Sequence, residues 1–353
     1  YKKFIGVKKS EKINTGFLAE SKKPKTTENL AVWIRGNFFI PDARKFWVKP
    51  SVKYLKKYLT ENKVDAIIST GPPHSMHLIA LQLKKTFNDI PWISDFRDPW
   101  TNIDFYKDLK LTKSADKKHH RLEQEVLKSS DVTLTVGATL GKELSELGAS
   151  NVAVIANGFD KDDSSQNVTL DAKISLAHIG SMTRTRNPEV LWKALSELLK
   201  ENFELRNKME IKLVGKVDIS IIQSLKNYDL LSYLRKIDYL PHDKVIEEQQ
   251  KSHILLLLIN NTPNSKGIVT GKFFEYMAAE RPILAIGPTD GDVAKIMEET
   301  QAGEIVDYDD LEKLKKCILT LIEPRLLKGD TEAVNKYSRE ELTKKLVEIL
   351  NNF

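Results

Sequence analysis

The sequence predicts an α/β protein built from two doubly wound parallel-sheet domains. Three observations carry that reading. The 353 residues suit two domains of ordinary size, and 41% hydrophobic residues are enough for two full cores. Short, continuously apolar strand patterns alternate with helical ones, as in a parallel sheet covered on both faces. The rhythm breaks once, at Asn157-Gly158-Phe159-Asp160 and the polar run 161–169, and then begins again.

In chain order, the first series reads as a strand over 65–70, a helix over 75–87 and a strand over 91–94. A long polar helix over 113–128, a strand over 132–136, a helix over 139–147 and a strand over 152–156 complete it. The second series opens with a strand over 174–179 and a helix from Pro188. Strands follow over 211–214, 234–237 and 254–259, then a helix after Thr270 and a strand over 282–286. Helices start at Asp292 and Leu311. Ser338-Arg339-Glu340-Glu341 is a capping box opening an amphipathic helix to Leu350. In such folds ligands gather at the carboxyl ends of the strands.

Composition narrows the classes. No apolar run is long enough to span a bilayer, and no charged-then-apolar leader is visible, so a cytoplasmic setting is expected. Cys317, the single cysteine, lies in an apolar-periodic helix and reads as a small buried residue. Residues 1–60 hold fifteen Lys and Arg against four Asp and Glu, a net +11; the total is +6, so the remainder carries −5. Trp33, Phe38, Phe39, Phe46 and Trp47 are interleaved with this charge. Read functionally, it faces an anionic membrane; read plainly, it is a solvated basic face. No helix-turn-helix, zinc spacing or RNA-binding signature accompanies it, so nucleic acid is not expected.

The segment from Gly267 to Gly287 carries the most chemistry. Thr270 is placed to cap a helix whose first turn, Gly271 and Lys272, presents free amides and the positive end of the dipole to an anion. At 100° per residue Phe273, Phe274 and Met277 face a core, while Gly271, Glu275 and Ala279 share another face. Glu275, one turn in, suits sugar hydroxyls; its plain reading is a solvated helix glutamate. Gly180, Arg184 and Arg186 lie between a strand end and a helix for which Asn187 is the expected N-cap and Pro188 the first residue. Guanidinium groups beside free amides suit a pyrophosphate, or are simply a loop pair.

In the first series, Gly71 and His74 form a strand-to-helix loop, with Ser75 or His74 near the cap. Asp95, Arg97 and Asp98 directly follow the next strand. They read as acceptor-binding or catalytic groups, or as a structural ion-pair network. There is no His/Cys cluster, Walker loop or Gly-x-Ser-x-Gly elbow, and His119-His120 point apart on a helix; no metal is expected.

These residues resemble retaining GT-B glycosyltransferases of family 4, in the form found in bacterial capsule and lipopolysaccharide gene clusters. The likeness runs through essentially the whole chain. It is most specific at residues 33–44, 70–75, 92–100, 157–160 and 272–276. The resemblance implies a GT-B architecture, two Rossmann-like doubly wound domains facing a cleft, and transfer of a sugar from a nucleotide-diphosphate sugar to a glycan or lipid-linked acceptor. It implies no cofactor beyond that substrate, and a site on the cytoplasmic side, peripheral to the inner membrane. Residues 1–160 would form the acceptor domain, 161–170 a linker and 171–332 the donor domain. Residues 333–353 would be a helix returning to the first domain. The usual first strand and glycine-rich loop are missing before Tyr1, so the acceptor domain is expected to be truncated.

By position, the resemblance puts donor contacts on Gly180, Arg184, Arg186, Ile268, Thr270, Gly271, Lys272 and Glu275. It puts His74 and Asp95 in the catalytic role, and Gly71, Arg97 and Asp98 on the acceptor side. Glu275 matches the second glutamate of the family's Glu-x7-Glu motif. The first falls on Gly267, so sugar contacts would rely on the backbone amides of residues 268–271. The family's phosphate-binding Arg and Lys fall on Ser181 and Arg186, with Arg184 standing in for the missing cation. Two alternatives remain: a non-catalytic nucleotide-sugar-binding protein of the same fold, and a GT-B sugar-nucleotide epimerase.

Overall fold

A computed structural model describes residues 26–161, 168–323 and 330–353. The chain divides into two compact units. One runs through Thr135 and resumes over Gly141–Ala153; the other takes Val136–Leu140 and Val154–Phe353. Of the expected linker, residues 162–167 lie outside the described residues, as do residues 1–25 of the basic N-terminal run.

The first unit begins with α1 (Thr26–Phe38) and α2 (Val48–Glu61). Strands β1 (Ile67–Gly71), β2 (Trp92–Phe96), β3 (Val132–Thr135) and β4 (Val152–Val154) alternate with α3 (Ser75–Lys84), α4 (Lys113–Ser129) and α5 (Ala138–Glu146). The sheet order is β1-β2-β3-β4, with parallel pairs that set Thr70 opposite Asp95 and Asp95 opposite Leu134. All five residues of β2 are buried, as a central strand covered on both faces requires. At the edge, β1 alternates, with Ser69 and Gly71 buried.

The second unit holds β5 (Ile174–Ile179), β6 (Met209–Val214), β7 (Leu234–Ile237), β8 (Ile254–Leu258), β9 (Ile283–Ile286) and β10 (Gly303–Val306). Its helices are α6 (Glu189–Glu201), α7 (Phe203–Lys208), α8 (Ile219–Asn227), α9 (His242–Lys251), α10 (Gly271–Ala278), α11 (Asp292–Thr300) and α12 (Leu311–Ile322), then α13 (Thr331–Asn335) and α14 (Arg339–Asn351). All pairs are parallel, in the order β10-β9-β8-β5-β6-β7. Strand β8 is buried end to end, and Trp192, Leu195, Ile221, Leu284 and Ile318 fill the core beside it. Cys317 is buried there too.

Local chemistry explains where two elements depart from expectation. Asn187 does not cap α6: its side chain bonds Glu189, Ser224 and Trp192 instead, and Pro188 takes the cap position. Half of the expected capping box forms at α14, where Ser338 Oγ accepts from Glu341 N while Glu341 pairs with Lys344. The start of α14 is tied to the chain just before the linker: Arg339 pairs with Asp160, Lys161 with Glu340, and Gly158 abuts Leu342. Among the described residues no helix is long and apolar enough to cross a membrane.

Candidate functional site

The sheet of the second unit fixes where a ligand belongs. From β5 the chain winds outward through β6 and β7, then returns to place β8 on the other side of β5. Open α/β sheets bind ligands outside the carboxyl ends of the strands at such a reversal.

Gly180, the residue after β5, adopts φ +124°, a conformation side-chain-bearing residues rarely take, and a Cβ there would lie 2.6 Å from Lys272 Nζ. Lys272 therefore reaches from the first turn of α10 over the end of β5. Helix α10 is clamped in that position by Tyr276, whose hydroxyl accepts from Ile179 N at 3.0 Å. On β5, two residues before Gly180, His178 is fully buried. Its Nδ1 donates to Leu256 O at 3.1 Å, which leaves Nε2 to accept from Lys272 Nζ at 3.4 Å.

Burial, reinforced by the Lys272 charge, holds the His178 imidazole down to about 3. Burial, then the neighbouring Arg186 charge, brings the Lys272 ammonium down to about 8. Arg186 Nε donates to Asn260 Oδ1 at 2.6 Å, and Asn260, just past β8, accepts from Tyr308 through its carbonyl. A cation from each side of the strand reversal thus acts on the other, and each is hydrogen-bonded to a neutral group, Lys272 to His178 and Arg186 to Asn260. Such an arrangement accommodates two or more negative charges.

The sequence-predicted donor residues fall into two sets. Gly180, Arg186, Lys272 and Glu275 cluster at the reversal, Glu275 half-buried one turn along α10 and accepting from Gln249 Nε2 at 3.5 Å. Arg184 stands apart: it is exposed in the 3-10 turn Arg184–Arg186, and its charge acts on Asp218, the N-cap of α8. Thr270 occupies the N-cap of α10, but its side chain makes no capping bond. Ala279, expected on the face of Glu275, is buried instead. A Cβ on Gly271 would meet nothing within 4 Å, so the first turn of α10 opens onto free space. Ile268 is the C-cap of the 3-10 turn Ser265–Gly267, and a Cβ on Gly267 would touch Thr139 at 3.4 Å.

The first unit has its own cluster at the carboxyl ends of β1 and β2, where Arg97 N donates to Gly71 O at 3.0 Å. His74 is buried and stacked on Trp100, with ring centroids 4.8 Å apart. His77 stacks on Phe96 at 4.5 Å and shares a 2.8 Å hydrogen bond with Ser69 Oγ. Gly71 fits between them: a Cβ there would lie 2.5 Å from His77 Nε2 and 3.1 Å from His74 Nδ1. Burial brings His74 down to about 4 against the opposing pull of Asp42, and brings His77 to about 3 with the help of His74. Asp95 is raised by burial and lowered by Arg97, whose Nε donates to it at 3.1 Å. Asp98 is raised by burial and then by Asp104.

Neither His74 nor Ser75 caps α3 with its own side chain. Asp42 does so from a distance, accepting from Ser75 N at 2.8 Å and Ser75 Oγ at 3.0 Å. Sequence reading missed Asp42, His77, His178, Asn260 and Tyr276. Only His178 left a local signal, since residues i and i+2 of a strand share a face and Gly180 was already marked.

No family model and no curated protein matches the sequence. Solved structures do. Sucrose-phosphate synthase from Thermosynechococcus elongatus superposes with a TM-score of 0.62 at 16% identity, over 88% of this chain and 79% of its own. A UDP-forming α,α-trehalose-phosphate synthase from Burkholderia vietnamiensis gives 0.63 at 8% identity, over 87% and 77%. The lipopolysaccharide outer core galactosyltransferase WaaB gives 0.58 at 12% identity, over 87% and 80%. At these identities the likeness concerns architecture, and the chain has the GT-B fold that these glycosyltransferases share.

Proposed function

We propose that this protein is a retaining glycosyltransferase, similar to family 4, that moves a sugar from a nucleotide-diphosphate sugar to a glycan or lipid-linked acceptor. The observation that carries the reading is Lys272 reaching over Gly180, with the Arg186 charge acting on it, at the strand reversal of the larger sheet. A diphosphate leaving the anomeric carbon gains negative charge, and fixed cations with free helix amides stabilise that charge where it develops. In this reading Glu275 holds the ribose and the backbone of residues 268–271 holds the sugar. The acceptor hydroxyl attacks the same face that the diphosphate leaves and gives its proton to the departing phosphate. Cations of the protein serve in place of a metal. The loops of Gly71, His74, Asp95, Arg97 and Asp98 receive the acceptor, on the cytoplasmic side of a bacterial inner membrane where capsule or lipopolysaccharide sugars are assembled.

The test is to incubate the protein with a panel of nucleotide sugars, first ranked by thermal stabilisation, and to analyse products. Transfer to an acceptor, or slow release of free sugar with the α or β configuration retained, is the expected result. An isomerised donor would make the protein an epimerase. Tight binding with no turnover on any acceptor would make it a binding protein.

A further inference from the structure

The described chain ahead of β1 differs from the rest of the first unit. Residues 29–66 carry eight basic side chains against three acidic, Asp42, Glu61 and Asp65. On α1, Leu30, Trp33, Ile34 and Phe38 recur at the spacing of a single helix face, yet they are 57%, 37%, 40% and 59% exposed. On α2 the half-buried Val52, Leu55 and Leu59 face inward. The outward arc runs from Lys49, Lys53 and Lys57 to the exposed Tyr54 and Tyr58.

Ring contacts run along the end of α1 and the connection that leads to α2. Trp33 meets Phe38 edge-on at 5.7 Å, and Phe39 meets Phe46 at 5.8 Å. Lys45 Nζ donates to Phe38 O and lies 5.6 and 5.0 Å from the Phe39 and Phe46 ring centroids. Of the acids, Asp42 is turned inward, where it accepts from the start of α3, and Glu61 lies 3.8 Å from Lys57 at the end of α2. The outer surface therefore presents apolar rings and an excess of basic over acidic groups. Isolated apolar side chains on a surface are ordinary, but a contiguous rimmed patch marks an interaction site.

We propose that this α1–α2 ledge docks the protein on an anionic phospholipid membrane. Lysines at its edge meet lipid phosphates while the rings and the aliphatic Leu30 and Ile34 enter the interface. Aliphatic side chains offer nothing to a nucleic-acid backbone, which favours lipid over the other polyanion. The ledge is also bonded to the acceptor-side loop: Trp47 Nε1 donates to Ser75 Oγ at 3.0 Å, next to His74. A lipid-linked acceptor would then arrive beside that loop. This last point rests on the proposed transferase reading; the docking itself does not.

The experiment is co-sedimentation with vesicles of phosphatidylcholine alone, and of phosphatidylcholine with phosphatidylglycerol in equal parts, at low and high salt. The wild type should pellet with the anionic vesicles, less so as salt rises. Each basic residue near the surface is worth about a fivefold change in partition, so K49Q/K53Q/K57Q should weaken binding about a hundredfold. W33S/F38S should remove the fraction that survives high salt. All variants should keep the wild-type melting temperature and nucleotide-sugar affinity, which shows that they fold. Failure of the wild type to pellet with anionic vesicles at low salt overturns the proposal. So does sedimentation equilibrium showing a dimer that W33S/F38S dissolves, since the face would then cover a second copy. Absence of nucleotide-sugar binding in a protein that still pellets would count against the transferase reading alone.

Discussion

His178 and His74 are both buried at the carboxyl end of a parallel strand, yet their surroundings have opposite character. His178 is pinned by Leu256 O and turns its free nitrogen to the Lys272 ammonium, with Arg186 close by. His74 lies flat on Trp100 and close to His77, and the charge that acts on it most is the Asp42 carboxylate. The same side chain therefore supports a cation in one unit and fills an aromatic stack in the other. Burial alone does not make a histidine catalytic; what its second nitrogen faces decides the use. The second unit concentrates positive charge at its strand ends, as an anion site requires. The first unit offers unprotonated rings and shielded carboxylates, which suit neutral hydroxyls.

Removing the cations is the strongest way to break this contrast. The Lys272→Met/Arg186→Ala double variant should weaken binding of UDP or GDP by about 3 kcal/mol or more, at roughly 1.5–3 kcal/mol per hydrogen bond to a charged group. Uridine or guanosine should bind nearly as before. Arg184→Ala should matter less, because Arg184 faces Asp218. Calorimetry with nucleoside and diphosphate decides: equal losses for both would mean that the two cations maintain structure.

Acid should sharpen the contrast through stability. His74 and His77 have folded values of about 4 and 3, below the unfolded 6.5, so between those limits the unfolded chain binds more protons. Their contribution to stability is complete above pH 6.5 and is lost as pH falls toward 4. The slope is about 1.4 kcal/mol per pH unit for each histidine. Burial lowers His119 and His253 as well, so the first unit carries three such histidines and the second two, of which His178 is held at about 3. Amide protection in β1 and β2 should fall more steeply with acid than protection in β5 and β6. Equal slopes measured by hydrogen exchange would show that one of the two stacked histidines is already protonated or exposed.

How much of this was legible beforehand depends on the range of each interaction. Strands β5 and β8 fall within one residue of where the apolar runs place them, because a buried strand must be largely apolar along its length. Lys272 and Gly180 were marked by local geometry, a helix start and a strand end. Their contact was not, since residues ninety-two positions apart in sequence are brought together by the strand reversal. The cap on α3 escaped for the same reason: Asp42 is thirty-three residues from Ser75. Asn187 was misread because a good N-cap residue also makes a good side-chain bridge, and here Trp192 and Ser224 compete for it. The separation of Arg184 from Arg186 depends on a 3-10 turn, which no hydrophobic pattern announces.

The smallest effect tests the most specific part of the contrast, the setting of Lys272. In the free protein its ammonium titrates at about 8, lowered first by burial and then by Arg186, with Glu275 pulling the other way and the His178 ring neutral beside it. A bound diphosphate adds negative charge and favours the protonated form, so the value must rise on binding. Below pH 8 the lysine is charged in both states, and affinity should be flat once the phosphate itself is ionised. Above pH 8 the free protein loses the proton and binding must restore it. Affinity should then fall with pH, by at most tenfold per unit, which is about 1.4 kcal/mol. Calorimetry at pH 8.5, in buffers of different ionisation enthalpy, should register proton uptake with UDP or GDP and none with the nucleoside. Lys272→Arg, which stays charged throughout, should abolish the uptake while retaining preference for the diphosphate. If wild type and Lys272→Arg take up the same number of protons, another group titrates at this site, and the pairing of His178 with Lys272 does not govern it.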